Sequence, residues 1–389
     1  MDFELSEEQQ MLKDSVDRLT ADRYPDLKTR AGYMQQPGGY SGAIWKEYAD
    51  LGLLGIPFAE SDGGLGQGAE ETALVMEAIG RNLTLEPYFA TVVLGGGVLR
   101  HAGSAAQKER LIPAIVGGTA TIALAYQEKQ SRFDLADVAT GAKADGDGGY
   151  TLEGEKCVVL YGESADWLIV TARVSGDRRA QDGIGLFLVD AKAPGVSRRG
   201  YPTQDGQRAA DISLASVKVG RDGVIGTPGK GFAVLERVVH EGIAALAAEA
   251  VGAMAALHEL TVEYLKTRKQ FGVPIGSFQV LQHRAVDMFT HLEQARSMAY
   301  YATMMAGEAD ASERRRAISA AKVQIGRSAR FIGQEAVQLH GGIGMTMEYK
   351  AGHYFKRLTM IDMMFGNADH HLRELARAGG IIPAGNRTL

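Results

Sequence analysis

Trp167-Leu168-Ile169-Val170-Thr171 and Leu186-Phe187-Leu188-Val189 stand near the middle of the chain, and what surrounds them decides the fold. Both are short runs rich in β-branched and aromatic residues, the signature of buried strands. Ile122-Ala123-Leu124-Ala125-Tyr126 and Cys157-Val158-Val159-Leu160-Tyr161 precede them, and Ile212 to Val219 follows with alternating apolar and polar side chains. Asp145-Gly146 and Gly148-Gly149 mark turns, and no helical stretch lies between the runs. Strands alternating with helices would build a doubly wound parallel sheet; strands joined by turns predict an antiparallel sandwich or barrel over residues 121–228.

The flanks read as helical. Ser6-Glu7-Glu8-Gln9 has the form of a capping box, and Met11-Leu12, Val16 and Leu19 follow at helical spacing. Ile44-Trp45, Tyr48-Ala49 and Leu51 suggest another helix, Pro57 to Gly68 a loop, and Glu70 to Ile79 a helix again. After residue 228, Phe232, Leu235, Val238-Val239, Ile243, Leu246, Val251, Met254 and Leu257 form a long apolar stripe. The expected architecture is α+β and multi-domain: an N-terminal helical domain (1–120), the β domain (121–228) and a C-terminal four-helix bundle (229–389).

Composition narrows the function. The 389 residues carry 42 Lys+Arg against 47 Asp+Glu, a net charge of -5, which excludes the basic coat that nucleic-acid binders use. A single cysteine, Cys157, excludes a disulfide framework within the chain and fits a reducing, cytoplasmic setting. The acidic start does not read as a targeting peptide, and no wholly apolar run approaches the roughly 20 residues of a membrane span.

Two motifs carry chemistry. Arg268-Lys269-Gln270-Phe271-Gly272-Val273-Pro274-Ile275, followed by Phe278-Gln279 and Gln282, sits where the long helix must end. An Arg fork matches phosphate oxygens and an exposed Phe can lie along a flat ring, although a cation here also simply complements the helix dipole. Gln338-Leu339-His340-Gly341-Gly342-Ile343-Gly344 lets backbone N–H groups approach a ligand closely, yet many such runs only terminate helices. Gly63 to Gly68 reads as a loop, His370-His371 as surface or interface histidines, Ser312 to Arg316 as a solvated helix face, and Cys157 as a packed residue.

The block order, with Arg268 to Gln279 and Ala336 to Gly344 in this order and separation, resembles the acyl-CoA dehydrogenase family over essentially the whole chain. The resemblance implies FAD, α,β-dehydrogenation of an acyl-CoA thioester, electron transfer to an electron-transfer flavoprotein, and a tetramer. It assigns cofactor-binding roles to Arg268, Phe271, Gln279, Gln338, Gly341, Gly342, Gln127 and Asn367.

The same resemblance exposes departures. The family's catalytic Glu falls on Phe365, which accepts no proton. The alternative base position of some relatives falls on Gly242; adjacent Glu241 points about 100° away on a helix, a weak candidate, and Asp369 a weaker one. The Arg beside the substrate falls on Ile243, the flavin-contacting Thr on Gln127, and the Trp and Thr of the next strand on Val158 and Leu160. In the family the retained motifs hold the ADP half of a neighbour's FAD, whereas the lost positions serve the chain's own site. That division resembles the small subunits of heteromeric acyl-CoA dehydrogenases, such as that of pimeloyl-CoA dehydrogenase. The leading expectation is a subunit that completes a base-bearing partner's site in a heterotetramer. The alternatives are a self-sufficient homotetramer with an unusual base, and a flavin-free acyl-CoA-binding scaffold.

Overall fold

The computed structural model describes residues 5–379; Met1 to Glu4 and the last ten residues of the expected C-terminal domain lie outside the described residues. The N-terminal third holds α1 (Glu7–Arg23), α2 (Leu27–Met34), α3 (Gly42–Asp50) and α4 (Ala69–Asn82), a π-helical segment (Phe89–Gly95), then α5 (Gly96–Ala102) and α6 (Ala105–Val116). The capping box at Ser6 is present: its hydroxyl accepts from the Gln9 N–H, and the Gln9 side chain accepts from the Ser6 N–H, both at 3.1 Å. The short α2 escaped the sequence reading because it carries no apolar stripe. The π-helical segment escaped because every residue in it is buried, which erases periodicity.

Eight strands form one sheet: β1 (Ile122–Ala125), β2 (Gly141–Ala144), β3 (Tyr150–Leu160), β4 (Trp167–Arg173), β5 (Ile184–Asp190), β6 (Val196–Pro202), β7 (Arg208–Val219) and β8 (Val224–Ile225). The spatial order is β6-β7-β3-β2-β4-β5-β8, with β1 also on β4. The sheet is mixed where antiparallel pairing was expected: β1 and β2 each run parallel to β4. Turn signals report hairpins between successive strands, and the β1–β4 pair joins segments separated by β2 and β3. Leu152, Val159, Leu168, Val170, Phe187, Ile212 and their neighbours form its core.

A buried ion pair crosses this core. Lys156 Nζ donates to Glu128 Oε1 at 2.6 Å and to Thr171 Oγ1 at 2.9 Å, while the Thr140 and Ala139 N–H groups donate to the same carboxylate. Burial alone would raise the Glu128 pKa, but Lys156 and these donors bring it down to about 2. Burial pulls Lys156 down to about 8 against the attraction of Glu128.

The C-terminal part holds α7 (Phe232–Thr267), a two-stranded hairpin of β9 (Lys269–Gln270) and β10 (Val273–Pro274), α8 (Gln279–Ala306), α9 (Ala311–His340), α10 (Lys350–Met363) and α11 (Ala368–Arg377). α9 packs against α8, α10 and α11, so the expected four-helix bundle has a fifth, short helix on it. α7 is long and apolar enough to cross a membrane by composition, yet 78% of its most apolar window is buried in the protein. Arg314 is buried and donates to the Glu308 carbonyl, so the Ser312 to Arg316 run is not wholly solvated.

The chain divides into two compact units, one of residues up to Ala31, Ala69–Thr84 and from Ile243 onward, the other of Gly32–Gly68 and Leu85–Gly242. In the first unit α4 and α7 cross at two glycines. A Cβ on Gly80 would lie 1.9 Å from the Glu249 carbonyl oxygen, and one on Gly252 1.9 Å from that of Glu77. Glu249 then pairs through both oxygens with Arg357 of α10, at 2.5 and 2.7 Å.

The Glu128–Lys156 pair sets a stability prediction. Lys156→Met leaves a buried, unpaired carboxylate and should cost about 3–5 kcal/mol in denaturant unfolding, while adding Glu128→Leu should recover much of it. Because the folded pKa of Glu128 is depressed, its contribution is fully present above the ordinary carboxylate value near 4.5 and is lost as pH falls toward 2. The double variant should show a flatter acid limb in that window; an unchanged one would remove the pair from this role.

Candidate functional site

The first unit carries the exposed motifs. α7 stops at Thr267, and Phe271-Gly272 form a two-residue turn with φ of +56° and +80°, the left-handed pair that a type I′ turn requires. A non-glycine residue pays steric strain there, and Phe is not a residue that such turns favour. The Phe271 side chain is nonetheless 91% exposed, with its ring edge-on to Phe278 at 6.1 Å. Arg268 and Gln279 flank the hairpin, both exposed, and the Arg268 guanidinium makes no ion pair or hydrogen bond among the described residues.

The second motif follows α9. Gly341 has φ of +63°, and a Cβ on Gly341 or Gly342 would meet nothing within 4 Å. The turn therefore opens onto a groove of about 330 Å3, lined by Gln334, Gln338, Gly341, Gly342, Met345 and Phe355 among others. The two motifs are neighbours through one ring contact. Tyr264, one turn before Arg268, packs on His340, directly before Gly341, with ring centroids 4.6 Å apart. His340 is buried, its Nδ1 bonded to the Ala336 carbonyl at 2.8 Å, and burial pushes its pKa down.

The positions for the chain's own site look different. In the second unit Gln127 follows β1, and its carbonyl accepts from the Cys157 N–H at 2.9 Å. The β3–β7 ladder shifts register between Lys156 and Val159, and Val158 has φ of +52° with its N–H on the Tyr201 hydroxyl. Cys157 is buried, and burial raises its thiol pKa. A Cβ on Gly242 would stand 2.9 Å from the end of the Leu94 side chain and 3.5 Å from the Phe89 ring, so an acidic side chain there would have to push Leu94 aside.

Glu241 is occupied. Its carboxylate accepts from Arg100, from Arg237 Nε at 3.4 Å, and lies 2.8 Å from His101 Nε2. Burial would raise its pKa, but the His101 hydrogen bond and the charge of Arg100 hold it below the ordinary carboxylate value. That is the reverse of what a poised general base needs.

In the first unit Ile243 and Phe365 are buried. Phe365 has φ of +57°, and its carbonyl faces His371 Nε2 at 3.1 Å. Asn367 caps α11 by accepting from the His370 N–H at 3.0 Å, and Asp369 is exposed in its first turn. His371 is buried against Ser319 rather than a surface histidine, because both ring nitrogens have partners at 3.1 Å. Three of the seven non-glycine residues with positive φ among the described residues, Val158, Phe271 and Phe365, fall on positions that the sequence resemblance relates to flavin or base. No group of three or more His, Cys, Asp or Glu suited to a metal occurs among the described residues.

Sequence reasoning missed Glu128–Lys156, although a lysine before an apolar β run was a signal. It also missed Gln334, which shares a helix face with Gln338, four residues on.

The chain matches the acyl-CoA dehydrogenase N-terminal domain over residues 6–119, the middle domain over 123–218 and the C-terminal domain over 229–380. It is 30% identical to the probable acyl-CoA dehydrogenase YngJ of Bacillus subtilis, over 97% of this chain and 99% of that protein. Among solved structures it resembles the ChsE4-ChsE5 complex of Mycobacterium tuberculosis, with 26% identity, 99% and 100% coverage and a TM-score of 0.86. It also resembles PigA solved with FAD and proline, with 27% identity, 97% and 98% coverage and a TM-score of 0.87. FAD is the cofactor of this family, and a glycine turn with open space above it, near a guanidinium unpaired among the described residues, is an arrangement that a dinucleotide fits. With all three domain models and a full-length relative in agreement, the chain belongs to the acyl-CoA dehydrogenase family of FAD-dependent oxidoreductases.

Proposed function

We propose that this chain is the non-base-bearing subunit of a heteromeric acyl-CoA dehydrogenase, akin to the small subunits of such enzymes. It lends its exposed motifs to FAD held in a partner's active site. The observation that carries this reading is the contrast within the molecule. Of the positions from which the resemblance would have a base act, one is a phenyl ring and one a glycine whose Cβ would press on Leu94, while Glu241 is already held by cations and Asp369 is exposed at the start of α11. The Arg268 hairpin and the Gly341-Gly342 turn, meanwhile, stand open.

When bound, FAD supplies the redox chemistry by accepting the β hydrogen of the acyl-CoA as hydride. This chain's residues bind and orient. Arg268 offers its fork to the pyrophosphate, Gly341 and Gly342 offer backbone N–H groups, and Gln279 and Gln338 add hydrogen bonds. Phe271 lays its ring along the flat half of the dinucleotide. The α proton goes to a carboxylate of the partner subunit. An electron-transfer flavoprotein takes the electrons onward, in the cytoplasm, and the resemblance leans toward dicarboxylyl or other bulky thioesters. Resemblance to a solved complex of two named chains supports a heteromeric assembly.

The purified chain alone, assayed with an artificial electron acceptor, should turn over roughly 10²–10⁴-fold more slowly than an assembly containing a base-bearing partner. Ordinary turnover by the chain alone refutes the partner requirement. Phe271→Asn tests the hairpin separately. Asn-Gly suits the left-handed turn, so the variant should gain about 1 kcal/mol in stability, while FAD retention by the assembly falls. A variant that retains FAD like the wild type removes Phe271 from the binding surface.

A further inference from the structure

The groove beyond the Gly341-Gly342 turn extends past the residues discussed so far. Gln334 lies four residues before Gln338 on α9, so their side chains project from one face, and both are exposed. Neither side chain makes a hydrogen bond among the described residues. Opposite them stands Phe355 of α10. It lies close because residue 333 is glycine: a Cβ there would come within 2.5 Å of the Phe355 ring. Met345 closes one edge of the groove. Two adjacent amides, an aromatic wall and a thioether form a surface for a flat heteroaromatic ring with donors and acceptors on its edge. An amide can accept from an exocyclic amine and donate to a neighbouring ring nitrogen of adenine, and an aromatic wall stacks on its face.

We infer that Gln334 is a further dinucleotide-binding residue, which hydrogen-bonds the adenosine end of FAD as it lies in the groove between α9 and Phe355. The inference rests on the reading of this face as a clasp for FAD and extends it by one helical turn. Gln338 and the glycine turn hold the part of the cofactor nearer Arg268, and Gln334 holds the part farther along α9. FMN, which lacks the adenosine, cannot use this contact.

The test uses the native assembly, isolated through a tag on the full-length chain, stripped of flavin and titrated with FAD and with FMN by flavin fluorescence. Gln334→Ala should weaken FAD binding roughly 2- to 10-fold, the loss expected of one hydrogen bond, and leave FMN binding and the melting temperature unchanged. Gln338→Ala and Arg268→Ala are measured beside it. If those two weaken FAD and Gln334→Ala does not, the inference falls while the clasp stands. An equal loss of FAD and FMN in Gln334→Ala also overturns it, since the residue would then act away from the adenosine. If none of the three weakens FAD, the clasp itself is wrong and the inference goes with it.

Discussion

Two backbones in contact set the frame for the helical unit. Gly80 and Gly252 face the carbonyls of Glu249 and Glu77, each at a distance that admits no side chain. A crossing this close fixes α7 along its length as well as in its angle, because sliding either helix would drive a carbonyl into a Cβ. Glu249, whose backbone meets Gly80, sends its buried carboxylate to both nitrogens of Arg357 and so ties α10 to the same point. α10 carries Phe355, and α7 ends one residue before Arg268. The Tyr264–His340 ring contact then couples the end of α7 to the glycine turn after α9. The exposed residues thus hang from a rigid lattice of helices, as a site that must bind without reorganising requires.

The carboxylates bear on the proposal that a partner supplies the base. A general base needs an acceptor that is ionised, near a substrate proton and not stabilised by nearby cations. Glu128 is neutralised by Lys156, and Glu241 is engaged by Arg100, His101 and Arg237. Asp362 is buried, accepting from the Ala368 N–H and from Arg330. Each of these carboxylates has a structural task, and for Glu128 and Glu241 that task favours the charged form. Phe365 is buried as well, at the position to which the sequence resemblance assigns the base.

Much of this was legible in the residues. The capping box at Ser6, the apolar stripe of α7 and the turn-linked strands all follow from spacing, because each is a local pattern with one period. The parallel pairing of β1 with β4 was not, since Ile122 meets Trp167 across two intervening strands. The Glu128–Lys156 pair was hidden for the same reason: a lysine before an apolar β run hints at burial but does not say which residue, here 28 positions away, pairs with it. Burial erased the π-helical segment from the pattern, and with it the clue that Leu94 and Phe89 fill the space over Gly242. Of the residues proposed to bind the dinucleotide, Arg268, Phe271 and Gly342 stood out because glycine breaks and exposed aromatics are visible in one dimension. Gln334 did not, because an amide on a helix surface has no sequence signature.

The hairpin makes the strongest argument about purpose. A phenyl ring left almost wholly in water forgoes the stabilisation that burial would give it, and its backbone adopts a conformation that L side chains avoid. An Asn-Gly turn would close the same two strands with no such strain. Among the described residues the ring's aromatic contact is with the edge of Phe278, and 91% of the side chain stays in water. A feature that destabilises its own chain persists where something outside the chain makes use of it. The Arg268 guanidinium alongside, unpaired among the described residues, and the open glycine turn after α9 are what a flat, phosphate-bearing ligand of the proposed assembly would use.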